Sequence, residues 1–476
     1  MLSKDLDICV DKIKNDLHQN PDYVYKYINL KNNNLCLIYN DALCASDKID
    51  NFVLKNLSFL KDEKIRKNLP DYLYNSIPNN NIKFIYTYED IYEKLQTGFS
   101  IIINKYSTAL AVETKKNLTR SITESKVEKT VNGPKDAFVE DYLVNIGLIR
   151  RRIKSKDLIV EKKTLGKHTK TAVSIIYMND IVEKKIIDEV KERLATISEK
   201  DIMDSSYIRS SLSKNKYSFP MIEMTERPDL TSMYLLEGKV CILVDTSPFA
   251  LIFPTFFVDF FHSPEDYYQK PRNVSFTRII RFIAFLVAIL VPAFYIAITT
   301  YNHETIPLTL LVNFAAQRSG VPFPAFFEAI LMIITFEILK ESDIRLPNQM
   351  GSAISILGGI ILGEAAVEAG IVSPIMVIVI AMTAIANLIF SHVDVVNAIR
   401  MWRIIFMIFA SLLGIVGIYF CSFLFIVILS SYKSFGKPYL YPFAPINFKV
   451  LKDSLIRLKN NRGEKNPLLV NNEVKK

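Results

Sequence analysis

The stretch FIAFLVAILVPAFYIAIT, residues Phe282–Thr299, runs without a single charge. A helix crossing the apolar core of a bilayer, about 30 Å thick, needs about 20 such residues. Lys270, Arg272, Arg278 and Arg281 stand before the stretch, and Tyr301-Asn302-His303-Glu304 follows it. Basic residues collect on the cytosolic flank of a span. The reading is therefore a membrane-spanning helix with everything upstream of it in the cytosol.

Outward from this stretch, the 476 residues divide by composition. Half are apolar, yet 22% are charged, and the two kinds occupy different regions. Residues 1–120 and 121–275 read as two soluble lobes, 276–431 as a transmembrane region and 432–476 as a polar, basic tail. In the lobes, Leu35–Tyr39, Phe99–Asn104, Leu158–Glu161 and Ala172–Met178 have the β-branched, apolar character of strands. Asp180–Thr196 has helical periodicity, and Val240–Asp245 with Phe249–Phe253 predicts a strand pair around Thr246-Ser247-Pro248. The fold class expected is α/β or α+β, followed by an all-α helical bundle. The charged stretch Lys115–Lys129 is the expected lobe boundary.

Downstream, Gly351–Val372 and Ile375–Phe390 predict a helical hairpin hinged at Ser373-Pro374, and Ile404–Leu429 a last span. Ala325–Leu339 is short for a crossing and predicts an interfacial or re-entrant helix. Four crossings, or five if Ala325–Leu339 spans, are expected. A lysine-rich tail favours the cytosol and hence an even number.

Gly351–Val372 carries the chemistry. Ser355, Gly359 and Gly363 recur every fourth residue, a seam that lets helix backbones approach closely. Glu364 and Glu368 stack one turn apart on a neighbouring face. A carboxylate inside a span costs about 2.5–3.5 kcal/mol on insertion scales, so it faces water, a partner or protein. Repeated around an axis, Glu364 and Glu368, with Leu357, Ile361 and Val367, would line a cation-selective pore. The alternative reading puts both acids in the headgroup zone at the helix end before Gly370.

Other signals exclude more than they suggest. Glu337, Glu341 and Arg345 share a helical face and, with His392, sketch an intramembrane protease. His392 is, however, the only histidine after Thr305, and a charged helix end with local ion pairs explains the rest. Phosphate-binding, serine-hydrolase and zinc motifs are absent. Five scattered cysteines form no C-x-x-C pair. The net charge of +9 lies largely beside apolar spans, with no nucleic-acid-reading motif. The expectation is a protein that is no enzyme and takes no cofactor, metal or nucleic acid.

Several ordered segments resemble the A subunit of the spore germinant receptor, the GerA family of endospore-forming bacteria. Gly133-Pro134-Lys135-Asp136-Ala137-Phe138-Val139-Glu140, running through Asn145 to Arg150-Arg151-Arg152, is similar to the family's G-P-x-x-a-F-x-E followed by N-x-x-L-[LI]-R-R-R. Thr225-Glu226-Arg227-Pro228-Asp229, Val244-Asp245-Thr246-Ser247-Pro248 and Phe261-His262-Ser263-Pro264-Glu265-Asp266 match in turn. So do Val321-Pro322-Phe323-Pro324, Glu328, Ile344-Arg345-Leu346-Pro347 and Gly363-Glu364-Ala365-Ala366-Val367-Glu368-Ala369-Gly370. Asn132 stands where arginine is usual, and Glu364 where glutamine is common.

The resemblance implies a receptor in the inner membrane of the spore, built with a transporter-like B subunit and a lipoprotein C subunit. It also implies a homo-oligomeric ring, a pentamer, that releases monovalent cations, and lobes similar to substrate-binding proteins. A non-conducting transducer, and the A-subunit-like protein of the dipicolinate-release operon, are the alternatives. For Arg150–Arg152 the expected partners are acids of a neighbouring subunit or anionic lipid, the alternative being a solvated helix end. Arg227-Pro228-Asp229 reads as structural, proline opening a helix and the charges bracing a lobe contact.

Overall fold

The computed structural model describes the chain apart from residues 1, 4, 31–32, 60–68, 80, 105–107, 117–127, 129, 131, 198–200, 214–218, 346–358, 360, 455, 458–468 and 470–476. Its soluble part is built from one plan used twice. The first lobe runs α1 (Leu6–Asp16), β1 (Tyr23–Leu30), β2 (Asn33–Asn40), helical turns within 46–76, β3 (Ile82–Ile85), α2 (Tyr88–Gln96), β4 (Phe99–Ile103) and β5 (Ala109–Glu113). The second runs α3 (Tyr142–Arg152), β6 (Leu158–Leu165), β7 (Thr171–Met178), α4 (Lys184–Ala195), α5 (Ser205–Leu212), β8 (Glu223–Thr225), α6 (Pro228–Glu237), β9 (Val240–Val244) and β10 (Ala250–Phe253). The sheet orders are β1-β2-β4-β5-β3 and β6-β7-β9-β10-β8, the same order strand for strand. Every neighbouring pair is antiparallel.

The class is accordingly α+β. The central strands β4 and β9 are buried along their whole length, since helices or loops cover both faces of each sheet. The strands and the Lys184–Ala195 helix fall where the sequence puts them. The proposed lobe boundary lies mostly outside the described residues.

Polar contacts hold the lobes together. Asn20 of the first lobe donates to the Leu158 carbonyl (3.2 Å) and accepts from the Val160 N–H (2.7 Å), capping the start of β6. Arg150 reaches back to Asp22 and also donates to the Leu158 carbonyl (3.2 Å). Its side chain is 2% exposed and that of Asp22 is fully buried. Removing one partner of such a pair strands a charge.

The helical bundle starts at α7 (Pro271–Thr300) and continues through α8 (Leu308–Arg318), α9 (Ala325–Arg345), α10 (helical over 361–368), α11 (Pro374–Asn387) and α12 (Val393–Ser431). Arg278 and Arg281 both bond Asp266, at 3.0 and 2.8 Å. Two of the four basic residues assigned from sequence to the membrane flank therefore fasten the first bundle helix to the second lobe. Phe219, Phe257 and Phe261 of the soluble domain meet Phe285, Phe390 and Phe425 of the bundle in a layer of mostly edge-on rings.

The largest departure from the sequence reading is in α12. Ile404–Leu429 reads as one helix, but Gly414 interrupts it with φ 61° and ψ −142°. On a straight helix, residues 402 and 425 would lie about 35 Å apart. Instead the Trp402 and Phe425 rings are 4.7 Å apart, and those of Phe409 and Phe420 are 5.7 Å apart. α12 is thus a hairpin folded at Gly414, with one arm up to residue 413 and the other from 415. The bend sits at the distal end of the bundle, where the Ile415 N–H donates to Asn302 Oδ1 (3.1 Å) just beyond the end of α7.

The returning arm brings the C-terminal residues back to the second lobe. Ser434 Oγ accepts from the Thr255 N–H (3.1 Å) and donates to the Met221 carbonyl (3.0 Å). Phe435 stacks on Phe253 at 4.6 Å, and Leu469 is fully buried. Phe435, Tyr441 and Leu469, from the stretch read as a polar tail, are therefore part of the lobe's core.

Candidate functional site

Helix α9 runs from the distal end back toward the soluble domain. Near its start, the fully buried Glu328 accepts from the Ser373 N–H (3.0 Å) and hydroxyl (2.8 Å), and Arg318 stands 3.3 Å from its other oxygen. Nearer its end, Glu337 pairs with Arg400 at 2.8 Å and Arg403 at 3.8 Å, both on the first arm of α12. The ion pairs expected to be local are interhelical, since Glu337 finds its arginines on another helix. The distal Glu328 also fixes Ser373, the hinge predicted between the two helices that follow.

α10 ends at that hinge, its chain turned by Gly370 at φ 65°. Glu364 and Glu368 are exposed on it, together with Ile361 and Leu362, while Val367 is half-buried. Neither acid has an ion-pair partner among the described residues. The two acids lie in the last turns before the distal hinge. A Cβ on Gly363 would make ordinary contact with Val377 of α11 (3.8 Å), whereas around Gly359 there is open space. One glycine of the seam thus serves packing within the chain, and the other faces outward. Ser355 and Leu357 lie outside the described residues.

The soluble segments singled out in the sequence converge on one strap. Arg227, 1% exposed, bonds Asp229 through Nε (3.1 Å) and Nη2 (2.7 Å) and donates to the Glu128 carbonyl, Thr130 Oγ1 and the Pro134 carbonyl. The Phe138 N–H donates to the Glu226 carbonyl (2.7 Å), and Asn145 holds both backbone groups of Val139. Gly133, at φ 118°, is required because a Cβ would lie 2.7 Å from the Tyr268 ring. The Glu140 carbonyl accepts from Thr246 N–H (2.9 Å). Pro228 opens α6, as expected.

Arg150–Arg152 are resolved differently from the sequence expectation. Arg150 pairs with Asp22 and Arg152 with Asp136, both in the same chain, and only Arg151 is left exposed. His392 faces the soluble domain, with Nε2 3.9 Å from Glu223 and its ring edge-on to Phe260.

This contact belongs to a buried trio that the sequence reading missed. Glu128 accepts from the Thr225 hydroxyl at 2.5 Å, and Glu223 accepts from the Tyr234 hydroxyl at 3.0 Å. The two acids are 6% and 2% exposed. Burial pushes Glu128 up to about 7, against the pull of His392 and the Thr225 hydrogen bond. Burial raises Glu223 as well, against Lys239. The only sequence signal is that glutamates flanked by apolar residues, as in Met-Ile-Glu-Met, point inward.

An acid whose folded-state pKa is raised stabilises the fold below its ordinary value of 4.5 and loses that stabilisation as pH rises through about 7. The full-length protein in detergent should therefore melt at lower temperature at pH 8 than at pH 5.5. Glu128→Gln should flatten the dependence by roughly 2–3 kcal/mol, at about 1.4 kcal/mol per pKa unit. An unchanged melting profile for the variant would show that Glu128 is ionised in the fold.

Comparison with known proteins bears on all of these segments. The sequence pattern of the Bacillus/Clostridium GerA spore germination protein matches residues 11–469. The chain belongs to the GerA family. Spore germination protein KA of Bacillus subtilis (strain 168) is 38% identical over 445 residues, 93% of this chain and 81% of that protein. Spore germination protein A1 of the same organism is 40% identical over 365 residues, 76% of each chain. A solved structure is also similar, the N-terminal domain of the A subunit of the Bacillus megaterium spore germinant receptor GerK3. It is 26% identical, with a TM-score of 0.43, over 54% of this chain and 97% of that one. In this GerA-family chain the strap, the lobe contacts and α10 all fall inside the matched range.

Proposed function

We propose that this chain is the A subunit of a spore germinant receptor and assembles around an axis as a nutrient-gated channel for monovalent cations. The observation that carries the reading is α10. It presents two exposed carboxylates with no ion-pair partner among the described residues, and a glycine with no described neighbour, a surface that copies of the chain would enclose with water between them. Pro271–Thr300 and Val393–Ser431 are long and apolar enough to cross a membrane. With the hairpin at Gly414 each arm of α12 would cross, so the described helices offer more crossings than the single last span read from the sequence. On this reading the soluble domain and the C-terminal residues that pack on it lie on one side, the cytosolic side of the spore's inner membrane. The B and C subunits are the partners this reading requires, with nutrient sensed outside this chain.

The test is current through reconstituted complex. Glu364→Gln with Glu368→Gln should reduce cation over anion selectivity severalfold, with assembly intact. Gly359→Leu should leave the protomer folded, because no described residue lies within 4 Å of a Cβ there, and disperse the oligomer. Identical currents from the glutamine variant would remove both acids from the pore, and no current from the native complex would leave the second reading, a non-conducting transducer. That reading draws on the position of both acids in the last turns before Gly370, at headgroup depth.

A further inference from the structure

The two acids of α10 are joined to the rest of the bundle by a short, hydrogen-bonded link. α10 closes at its end with the Ile371 N–H on the Ala366 carbonyl (3.0 Å) and the Gly370 N–H on the Val367 carbonyl (3.0 Å). Gly370, at φ 65°, supplies the left-handed residue that this closure needs. The Val372 N–H bonds the Ala366 carbonyl as well (3.3 Å), and Val372 is 1% exposed. Ser373 follows, fully buried, and opens α11 with its hydroxyl accepting from the Met376 N–H at 3.4 Å. Only Ala369–Val372 stand between Glu368 and Ser373.

Ser373 is held by a carboxylate from another helix. One oxygen of Glu328 takes both its N–H and its hydroxyl. A carboxylate only accepts, so both groups of Ser373 must point at it, and the hydroxyl keeps its lone pair for Met376. The other oxygen of Glu328 has no hydrogen bond among the described residues, but Arg318 faces it at 3.3 Å. Arg318 ends α8, a helix that buries none of its own residues. The turn after α8 passes the same place, since a Cβ on Gly370 would stand 3.3 Å from the Gly320 carbonyl. From α7, the Tyr295 hydroxyl lies 3.4 Å from Ser373 Oγ. Most of α10 itself is exposed, and Gly363 lies against α11 only at Val377. Its direction is therefore set at the hinge rather than by packing along its length.

We propose that Glu328 is the positioning residue for the pore acids: by holding Ser373 it fixes the direction in which α10 presents Glu364 and Glu368, and Arg318 keeps Glu328 in place. The inference rests on α10 lining the pore, as proposed above.

A cycle of variants in reconstituted complex tests it, read as cation over anion selectivity. Ser373→Ala deletes the hydroxyl and leaves the N–H on Glu328. Glu328→Gln keeps an acceptor for Ser373 and turns an amide toward Arg318, donor against donors. Each should lower selectivity severalfold with the oligomer assembled. In a chain that already carries Glu364→Gln and Glu368→Gln, neither should lower it further, because no carboxylate is left to aim. A brace that only stabilised the bundle would not produce this dependence on the two acids. Native selectivity in both single variants, where the Glu364→Gln, Glu368→Gln chain has lost it, overturns the inference. An equal loss in both backgrounds does so too. If Glu328→Gln does not assemble, Ser373→Ala decides between these outcomes. Identical currents from the Glu364→Gln, Glu368→Gln chain would instead overturn the pore reading, and this inference with it.

Discussion

Gly414→Val should abolish the bundle's native packing, and with it any assembled receptor. At φ 61° and ψ −142° only glycine is comfortable, and a Cβ there would stand 2.6 Å from Asn302 Oδ1 and 3.0 Å from Tyr301 Cβ. Relaxing that contact means pulling the distal bend away from α7 and losing the Asn302–Ile415 hydrogen bond. Backbone strain of about 1–3 kcal/mol adds to the clash, so loss of about 3 kcal/mol or more is expected. The measurement is the monodispersity and thermal unfolding of purified variant beside native chain. Gly414→Ala should fail to a lesser degree, because alanine meets the same two neighbours with less bulk beyond Cβ. A normal melting curve for the valine variant would mean that α12 does not fold back there.

Arg227→Met is expected to cost about 3–5 kcal/mol, the usual penalty when one member of a buried ion pair is removed. Methionine keeps the volume but leaves Asp229, 4% exposed, with the Tyr268 hydroxyl as its remaining side-chain donor. It also frees the carbonyls of Glu128 and Pro134. Both lie on the strap that closes the second lobe over Thr225. Chemical denaturation should show the loss directly, and protease should cut the variant first between residues 128 and 141. Arg227→Lys should recover little, since one ammonium cannot reproduce the forked contacts. Native stability in Arg227→Met would demote the motif from brace to ornament.

The sequence made some of this legible and hid the rest for identifiable reasons. Strands such as Phe99–Ile103 and Val240–Val244 are short apolar runs flanked by turn residues, and composition reveals them. Their antiparallel order is invisible, because pairing partners are set by tertiary contacts. The doubling of the lobes escapes for a similar reason: β4 reads FSIII and β9 reads VCILV, equal in burial and unlike in letters. Arg150 could be seen to need an acid, but Asp22 is 128 positions away. Gly414 is one glycine in an apolar run, and membrane helices hold many such residues without bending. Glu364 and Glu368 were visible at once because carboxylates amid apolar residues stand out, and the structure shows them solvent-facing on the protomer. Glu128 and Glu223 lack that contrast, being acids in a soluble region where acids are common.

The return of the chain after Ser431 has a consequence for how the protein is made. Ser434, Phe435 and Leu469 fill places in the second lobe that upstream residues leave open. A nascent chain emerging from the ribosome would have to fold that lobe with Phe253 still uncovered, insert its helices, and only then seal it. Premature release during translation would therefore yield a lobe with a sticky, unfinished wall, a form that quality-control proteases can recognise.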